Sequence, residues 1–122
     1  MPGRAIIAKE LAALLSALAH PHRIRIIEEL GAGELDVNSL QSELGISHSG
    51  VSQNLAILRA HRLVVERREG RRVIYRLTNP GLAAWLLHGL DFLSQDLDYT
   101  HQMRDLLDSV RNHWERTKAT QS

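Results

Sequence analysis

Cysteine is absent from this chain of 122 residues, and aromatic residues make up only 4% of it. Without thiols the protein has no disulfide, no thiolate metal ligand and no cysteine nucleophile. So few aromatic side chains also argue against a surface that stacks the bases of single-stranded nucleic acid. No apolar run reaches the roughly 18 residues that a membrane-spanning helix needs, so no membrane contact is expected.

The N-terminal segment has two interpretations. Arg4 and Lys9 precede an apolar run that ends in Ala17-Leu18-Ala19, an arrangement that resembles a secretory signal peptide. The apolar residues of this segment recur at helical spacing: Ile7, Leu11, Leu14, Leu15 and Leu18. This periodicity favours an amphipathic helix packed on the core. A cytoplasmic location is the simplest expectation.

Positive charge is concentrated in one short segment. Residues 59–76 hold seven arginines against two glutamates, a net charge of +5, whereas the whole chain carries +1. The planar guanidinium of arginine suits phosphates and guanine edges because it donates hydrogen bonds in pairs. The segment is therefore either a solvated strip of surface or a surface that binds a polyanion.

A helix–turn–helix is the clearest local pattern in the sequence. One helix is predicted to begin at Pro21, because proline suits the first helical position. A short helix over about Ser39–Leu44 is followed by Gly45, which accepts a positive φ and lets the chain turn. Ser47 is a good N-cap for a longer helix from about His48 to His61.

The longer helix has two unlike faces. Val51, Leu55 and Leu58 cluster on one side of a helical wheel. The opposite face is small, polar and almost uncharged, and consists of His48, Ser49, Ser52, Gln53 and Ala56. Short hydrogen-bonding side chains suit a helix that enters the major groove of DNA, where glutamine can read adenine bidentately. The alternative is a polar helix face that has no partner.

A β-hairpin is predicted to follow. Residues 64–68 and 72–77 are rich in Val, Ile and Tyr and flank Glu69-Gly70, which is a typical turn sequence. With that turn, Arg68 is expected opposite Arg71, and Arg67 opposite Arg72. Like charges across strands are destabilising, so such a tip is expected where a polyanion is nearby.

Together these elements predict a winged helix. The fold class is mainly α with a small β-hairpin, in a single domain over residues 1–122. The helix face would enter the major groove, and the wing, about residues 64–77, would contact the flanking phosphates. The wing residues predicted to bind phosphate are Arg67, Arg68, Arg71 and Arg72.

Residues 80–118 are predicted to form C-terminal dimerisation helices, either as one helix or as two separated near residues 96–100. Apolar residues recur along this segment at steps of three or four, over more surface than a small winged-helix core can cover. A homodimer is therefore expected, with packing inside one chain as the alternative. An apolar effector could bind between Trp85, Phe92 and Trp114, although such a stripe is more often plain core.

These patterns resemble the ArsR/SmtB family of bacterial winged-helix repressors over about residues 11–78. The matching segments are Ala17–Ile27, Glu34–Val37, Leu44–Leu55, Leu63-Val64 and Arg68–Leu77. The resemblance implies a homodimer that represses from a palindromic operator on double-stranded DNA and releases it on sensing a metal ion or another small signal. The family's base-reading positions fall on His48, Ser49, Ser52 and Gln53.

The sensor positions depart from the family pattern. Asp36 and Asn38 stand where family members that sense soft metals place two cysteines. In the family's second metal site, the first two ligands, an aspartate and a histidine, have one residue between them. Here two residues separate Asp98 from His101, and Arg116 stands at the position of the last ligand.

A divalent metal in the C-terminal helices is a weaker hypothesis. Residues that could converge across a dimer are Asp98, His101, Asp108 and His113. The alternative is a set of exposed or capping polar residues, and neither a metal site nor a cofactor is assigned.

No enzyme motif is found in the sequence. Zinc-protease, phosphate-loop and nucleophile-elbow patterns are all absent. The leading hypothesis is a sequence-specific DNA-binding repressor. A winged-helix module that binds protein without contacting an operator is the alternative.

Overall fold

The computed structural model describes residues 1–94 and 100–121, with the backbone alone for residues 94 and 116–121. The helices in these ranges are α1 (Pro2–Leu18), α2 (Pro21–Gly31), α3 (Val37–Leu44), α4 (His48–Ala60), α5 (Gly81–Ser94) and α6 (His101–Gln121). The strands are β1 (Leu35–Asp36), β2 (Val64–Glu69) and β3 (Arg72–Leu77). Within the same ranges, no helix is both long and apolar enough to cross a lipid bilayer.

Local capping explains where the helices begin and end. The Nδ1 atom of His20 accepts a hydrogen bond from the His22 amide at 3.0 Å, and Pro21 occupies the first turn of α2 as predicted. Asp36 caps α3 by accepting from the Ser39 amide at 2.8 Å, so this helix begins at Val37, two residues before the predicted start. Gly45 ends α3 in the left-handed conformation at φ 68°.

The three strands form one antiparallel sheet in the order β1-β3-β2. Strand β1 is only two residues long and pairs Leu35 with Tyr75 and Asp36 with Ile74. This strand is not predictable from the sequence, because two residues are too few to show a period of two.

The predicted turn of the hairpin is wrong by one residue, so each residue pairs with a partner two positions from the predicted one. Glu69 lies opposite Arg72, and Arg68 lies opposite Val73, so the two central turn residues are Gly70 and Arg71. Gly70 adopts φ 63°, and glycine at the first central position is typical of a type II′ turn. The expected pairs of opposing arginines therefore do not form, and the tip is less self-repulsive than predicted.

The core lies between α2, α3, α4 and the sheet. Its most deeply buried side chains are Ile26, Ile27, Leu40, Val51, Leu55, Leu58 and Val64. The apolar face predicted for the longer helix is thus confirmed. Helix α5 packs closely on α2, since a Cβ added at Gly31 would lie 2.6 Å from the Cβ of Ala83. Only glycine permits this approach.

Helix α1 packs on the core only at its C-terminal end, and not along its whole length as predicted. Leu18 is buried and Leu14 is half-buried, but Ile7, Leu11 and Leu15 are 66%, 47% and 47% exposed. Their apolar stripe extends beyond the end of the core that a single chain builds.

The C-terminal segment consists of two helices within the described residues, and the predicted separation near residues 96–100 lies mostly outside them. Several apolar side chains of these helices are exposed: Trp85, Phe92, Leu93, Met103, Leu106 and Val110. Like the stripe of α1, these side chains are apolar area that one chain leaves uncovered.

Candidate nucleic-acid interface

Helix α4 is held at its N-terminus by a serine cap. The Oγ atom of Ser47 accepts a hydrogen bond from the Gly50 amide at 3.0 Å and lies 3.3 Å from the Ser49 Oγ. Because the cap satisfies one amide of the first turn, the helix begins at His48, as predicted. The first predicted recognition residue therefore lies at the exposed start of the helix.

The predicted recognition residues share one exposed surface. Burial of Val51, Leu55 and Leu58 fixes the rotation of α4 about its axis. The opposite side of the helix is exposed at each predicted position: His48, Ser49, Ser52 and Gln53. None of these side chains is used in the core, so the face is free to contact a ligand.

The wing is tied to the end of α4 by a shared carboxylate. Arg59 lies 3.0 Å from Glu66, and the hydroxyl of Tyr75 donates to the other oxygen of Glu66 at 2.9 Å. Burial, together with the hydrogen bond to Glu66, raises the pKa of Tyr75 above its ordinary value, so the hydroxyl keeps its proton. This network therefore connects α4 to both strands of the hairpin, β2 and β3.

Two of the four predicted phosphate-binding arginines have carboxylate partners inside the chain. Arg67 contacts Glu34 at 2.6 Å and Glu69 at 3.1 Å, and these hydrogen bonds raise the pKa of the guanidinium. The Nε–H of Arg72 donates to Asp36 at 3.1 Å. These partners could not be predicted from the sequence, because Glu34 and Asp36 are more than 30 residues away along the chain.

The other two wing arginines are Arg71, in the turn, and Arg68, which lies opposite Val73. Arg68 and Arg71 are exposed, and no ion pair is found for either within the part of the chain that the structure describes. Their positive charges are therefore the least compensated of the wing.

The predicted metal residues are not brought together in the described ranges. His101 lies 3.5 Å from Asp105, one helical turn away, and both side chains are largely exposed. No group of three or more histidine and carboxylate side chains with metal-binding geometry is found there. Asp98 lies outside the described residues, and so does the side chain of Arg116, so the metal hypothesis stays a prediction.

The start of α3 does not suit a soft metal ion. The residues at this position are Asp36 and Asn38, with no thiolate in the chain to join them. One oxygen of Asp36 caps the helix and the other holds Arg72. Hydrogen bonds from Ser39 lower the pKa of Asp36, and the contact with Arg72 lowers it by a smaller amount. The carboxylate of Asp36, the one charged oxygen ligand at this position, is therefore already paired with the guanidinium of Arg72.

An exposed polar helix in a helix–turn–helix, beside an arginine-bearing hairpin, defines the winged helix-turn-helix class of DNA-binding proteins. A helix-turn-helix domain model matches residues 18–67. The chain is 44% identical over 72 residues to the transcriptional repressor SmtB homolog of Synechocystis, covering 59% of this chain and 54% of that protein. It therefore spans about half the length of this relative.

A second relative is covered more fully. The chain is 39% identical over 83 residues to the biofilm growth-associated repressor of Xylella fastidiosa, covering 68% of this chain and 72% of that protein. Among solved structures, it resembles a homodimeric winged helix-turn-helix DNA-binding domain from Mycobacterium bovis, with a TM-score of 0.67 and 28% identity. That match covers 80% of this chain and 91% of the other. The chain belongs to the ArsR/SmtB family of winged-helix transcriptional regulators.

Proposed function

We propose that this protein is a homodimeric transcriptional repressor that binds a palindromic operator in double-stranded DNA. The observation that carries the proposal is the exposed, nearly uncharged face of α4 beside a wing that bears Arg68 and Arg71. Such a face can approach base edges in the major groove, and the wing can contact phosphates of the adjoining backbone. The protein acts in the cytoplasm and has no catalytic role.

The recognition face supplies donors and acceptors of suitable length. Gln53 can donate to and accept from one adenine, and the hydroxyls of Ser49 and Ser52 can do either. His48, at the first position of the helix, can contact a base or a phosphate. The wing arginines contribute affinity that does not depend on sequence.

A second copy of the chain is the occupant proposed for the uncovered apolar surface. The stripe of α1 and the exposed side chains of α5 and α6 leave apolar area that pairing would bury. The related Mycobacterium bovis domain is homodimeric. Two-fold symmetry would present two α4 helices to successive major grooves, which is why the operator is proposed to be palindromic.

Selection from random DNA duplexes, followed by affinity measurements at several salt concentrations, tests this function. If Arg68, Arg71 and Arg72 of both subunits meet phosphates, log K should fall with log salt with a slope of about −5. Replacing both Arg68 and Arg71 by Gln should weaken binding to every duplex and flatten the slope, whereas Arg4→Gln serves as the distant control. Failure to select any sequence, or binding that does not respond to salt, would contradict the proposal.

The signal that releases the operator is tested with the same assay. A metal ion or a small molecule is the proposed class of effector. Operator affinity would be measured with and without a panel of divalent metals, and an effector should lower that affinity. If no metal does so, the metal hypothesis for the C-terminal helices is rejected.

A further inference from the structure

A cleft separates the recognition helix from the wing. Its volume is about 280 Å³, and two residues of the exposed face of α4, His48 and Ser52, line it. The polar residues that line it come from three elements, namely the start of α3, the first turns of α4 and the hairpin, and include Asp36, His48, Ser52, Arg68, Arg71 and Arg72.

The cleft divides the predicted recognition face in two. His48 and Ser52 are one helical turn apart, and both line the cleft. Ser49 and Gln53 are the next pair at the same spacing, and they do not line it. The two pairs therefore point toward different surroundings, although a helical wheel places all four on one side.

Positive charge exceeds negative charge in the cleft. Both carboxylates that line the cleft already have partners. Glu66 forms an ion pair with Arg59 and accepts a hydrogen bond from Tyr75. Asp36 accepts hydrogen bonds from Arg72 and from the Ser39 amide. The pair with Asp36 uses the Nε–H of Arg72 and does not take up its two terminal NH₂ groups. Arg68 and Arg71 add two further charges for which no ion pair is found in the described ranges.

We propose that this cleft binds one phosphate of the DNA backbone. The phosphate would lie between the major groove that α4 enters and the stretch of backbone that the wing contacts. The Ser52 hydroxyl and a His48 ring nitrogen donate to the phosphate from one wall, and the guanidinium groups of Arg68, Arg71 and Arg72 do so from the other. Ser49 and Gln53 are left as the residues that read bases. This inference rests on the proposed function.

A phosphodiester suits the cleft better than a free anion. The cleft is open to solvent and one wall is the recognition helix, so an anion attached to a duplex would be carried into it as α4 docks. The four predicted recognition residues then differ in role. His48 and Ser52 set the depth and register of α4, whereas the other two distinguish sequences.

The test compares Ser52→Ala with Ser49→Ala and Gln53→Ala, using an operator obtained by selection. Ser52→Ala should weaken binding to the operator, its single-base variants and a non-operator duplex alike, by about 2- to 10-fold, as for one lost hydrogen bond. Its ratios of affinity among these duplexes should equal those of the wild type. Ser49→Ala and Gln53→Ala should lower those ratios.

A second measurement locates the phosphate. Neutral methylphosphonate groups are placed one at a time along the operator, and affinity is measured for the wild type and for Ser52→Ala. At one position in each half-site the modification should weaken wild-type binding, and Ser52→Ala should add little further loss. Inorganic phosphate is also titrated without DNA, observing the His48 ring by NMR, and should produce no saturable shift.

Each contrary result separates this inference from the proposed function. If Ser52→Ala relaxes preference at a base pair, or if no modified phosphate is coupled to Ser52, the cleft assignment is wrong while operator binding stands. Saturable binding of inorganic phosphate would reassign the cleft to a free anion and overturn the inference. If no duplex is selected at all, the proposed function itself fails.

Discussion

Arg23 and Asn54 join the corner between α1 and α2 to the recognition helix. A terminal nitrogen of Arg23 donates to the Asn54 Oδ1 at 3.1 Å, while its Nε donates to the Ala17 carbonyl at 2.6 Å. Asn54 in turn donates to the Gly50 carbonyl, one turn earlier in α4, at 2.8 Å. Since Ala17 lies near the end of the helix that carries the uncovered apolar stripe, this link connects the proposed dimer surface with the proposed DNA surface.

Removing either partner of this link should destabilise the fold. Arg23→Ala and Asn54→Ala are each expected to lower the free energy of unfolding by about 1–3 kcal/mol, because part-buried hydrogen-bonding groups lose their partners. Urea denaturation measures the effect, and the double variant should show a coupling of about 0.5–3 kcal/mol. Arg4→Ala, at an exposed site, should change stability by less than about 0.5 kcal/mol. Strictly additive losses would show that the two residues act independently.

The end of α4 carries an arginine where glycine would fit better. Arg62 adopts φ 58°, the left-handed conformation, and its amide donates to the Arg59 carbonyl. The Leu63 amide donates to the Leu58 carbonyl, which completes a Schellman motif. A residue with a Cβ pays roughly 1–2 kcal/mol for this conformation, whereas glycine does not.

Arg62→Gly is therefore expected to stabilise the protein by about 1 kcal/mol, since relief of strain exceeds the added freedom of the unfolded chain. Thermal or urea unfolding measures this. Arg62→Ala is the matched control, because it removes the charge but keeps the Cβ, and it should give no gain. An equal gain in both variants would assign the effect to charge.

The predictable parts of the fold are those determined by neighbouring residues. Periodicity placed Val51, Leu55 and Leu58 in the core, and capping chemistry placed the start of α4 after Ser47. Such features depend on contacts within one or two turns of helix, so a single sequence contains them.

The unpredicted parts depend on placement in three dimensions. The partners of Arg67 and Arg72 come from the segment before α3, and only the folded sheet brings that segment beside the wing. The predicted hairpin register was wrong because Glu69-Gly70 and Gly70-Arg71 are both plausible turns, and moving the turn by one residue moves every cross-strand partner by two.

Two neighbouring glutamates in α2 should make stability depend on pH. Burial raises the pKa of Glu28 and of Glu29 above the ordinary value of 4.5, and nearby carboxylates raise it further. Arg25 and His113 face both residues and oppose the shift. The folded state therefore holds these protons more tightly than the unfolded chain does.

The stability from these two carboxyls is fully present below pH 4.5 and is lost as pH rises through their folded-state pKa. Glu28→Gln, Glu29→Gln and the double variant should therefore gain stability relative to the wild type as pH rises toward neutrality. Urea denaturation across that range, with Glu115→Gln as an exposed control, measures the difference. A difference that does not vary with pH would contradict the assignment.

The uncovered stripe of α1 gives the sharpest test of the proposed dimer. Leu11 lies on that stripe, and a carboxylate there would be desolvated by a second copy at a cost of at least about 2 kcal/mol. Leu11→Glu should thus raise the dimer dissociation constant by about 30-fold or more in sedimentation experiments and weaken operator binding with it. Ala13→Glu adds the same charge on the far side of the helix and should leave both unchanged. If Leu11→Glu dimerises like the wild type, this part of α1 does not contribute to the interface, and another partner must cover it.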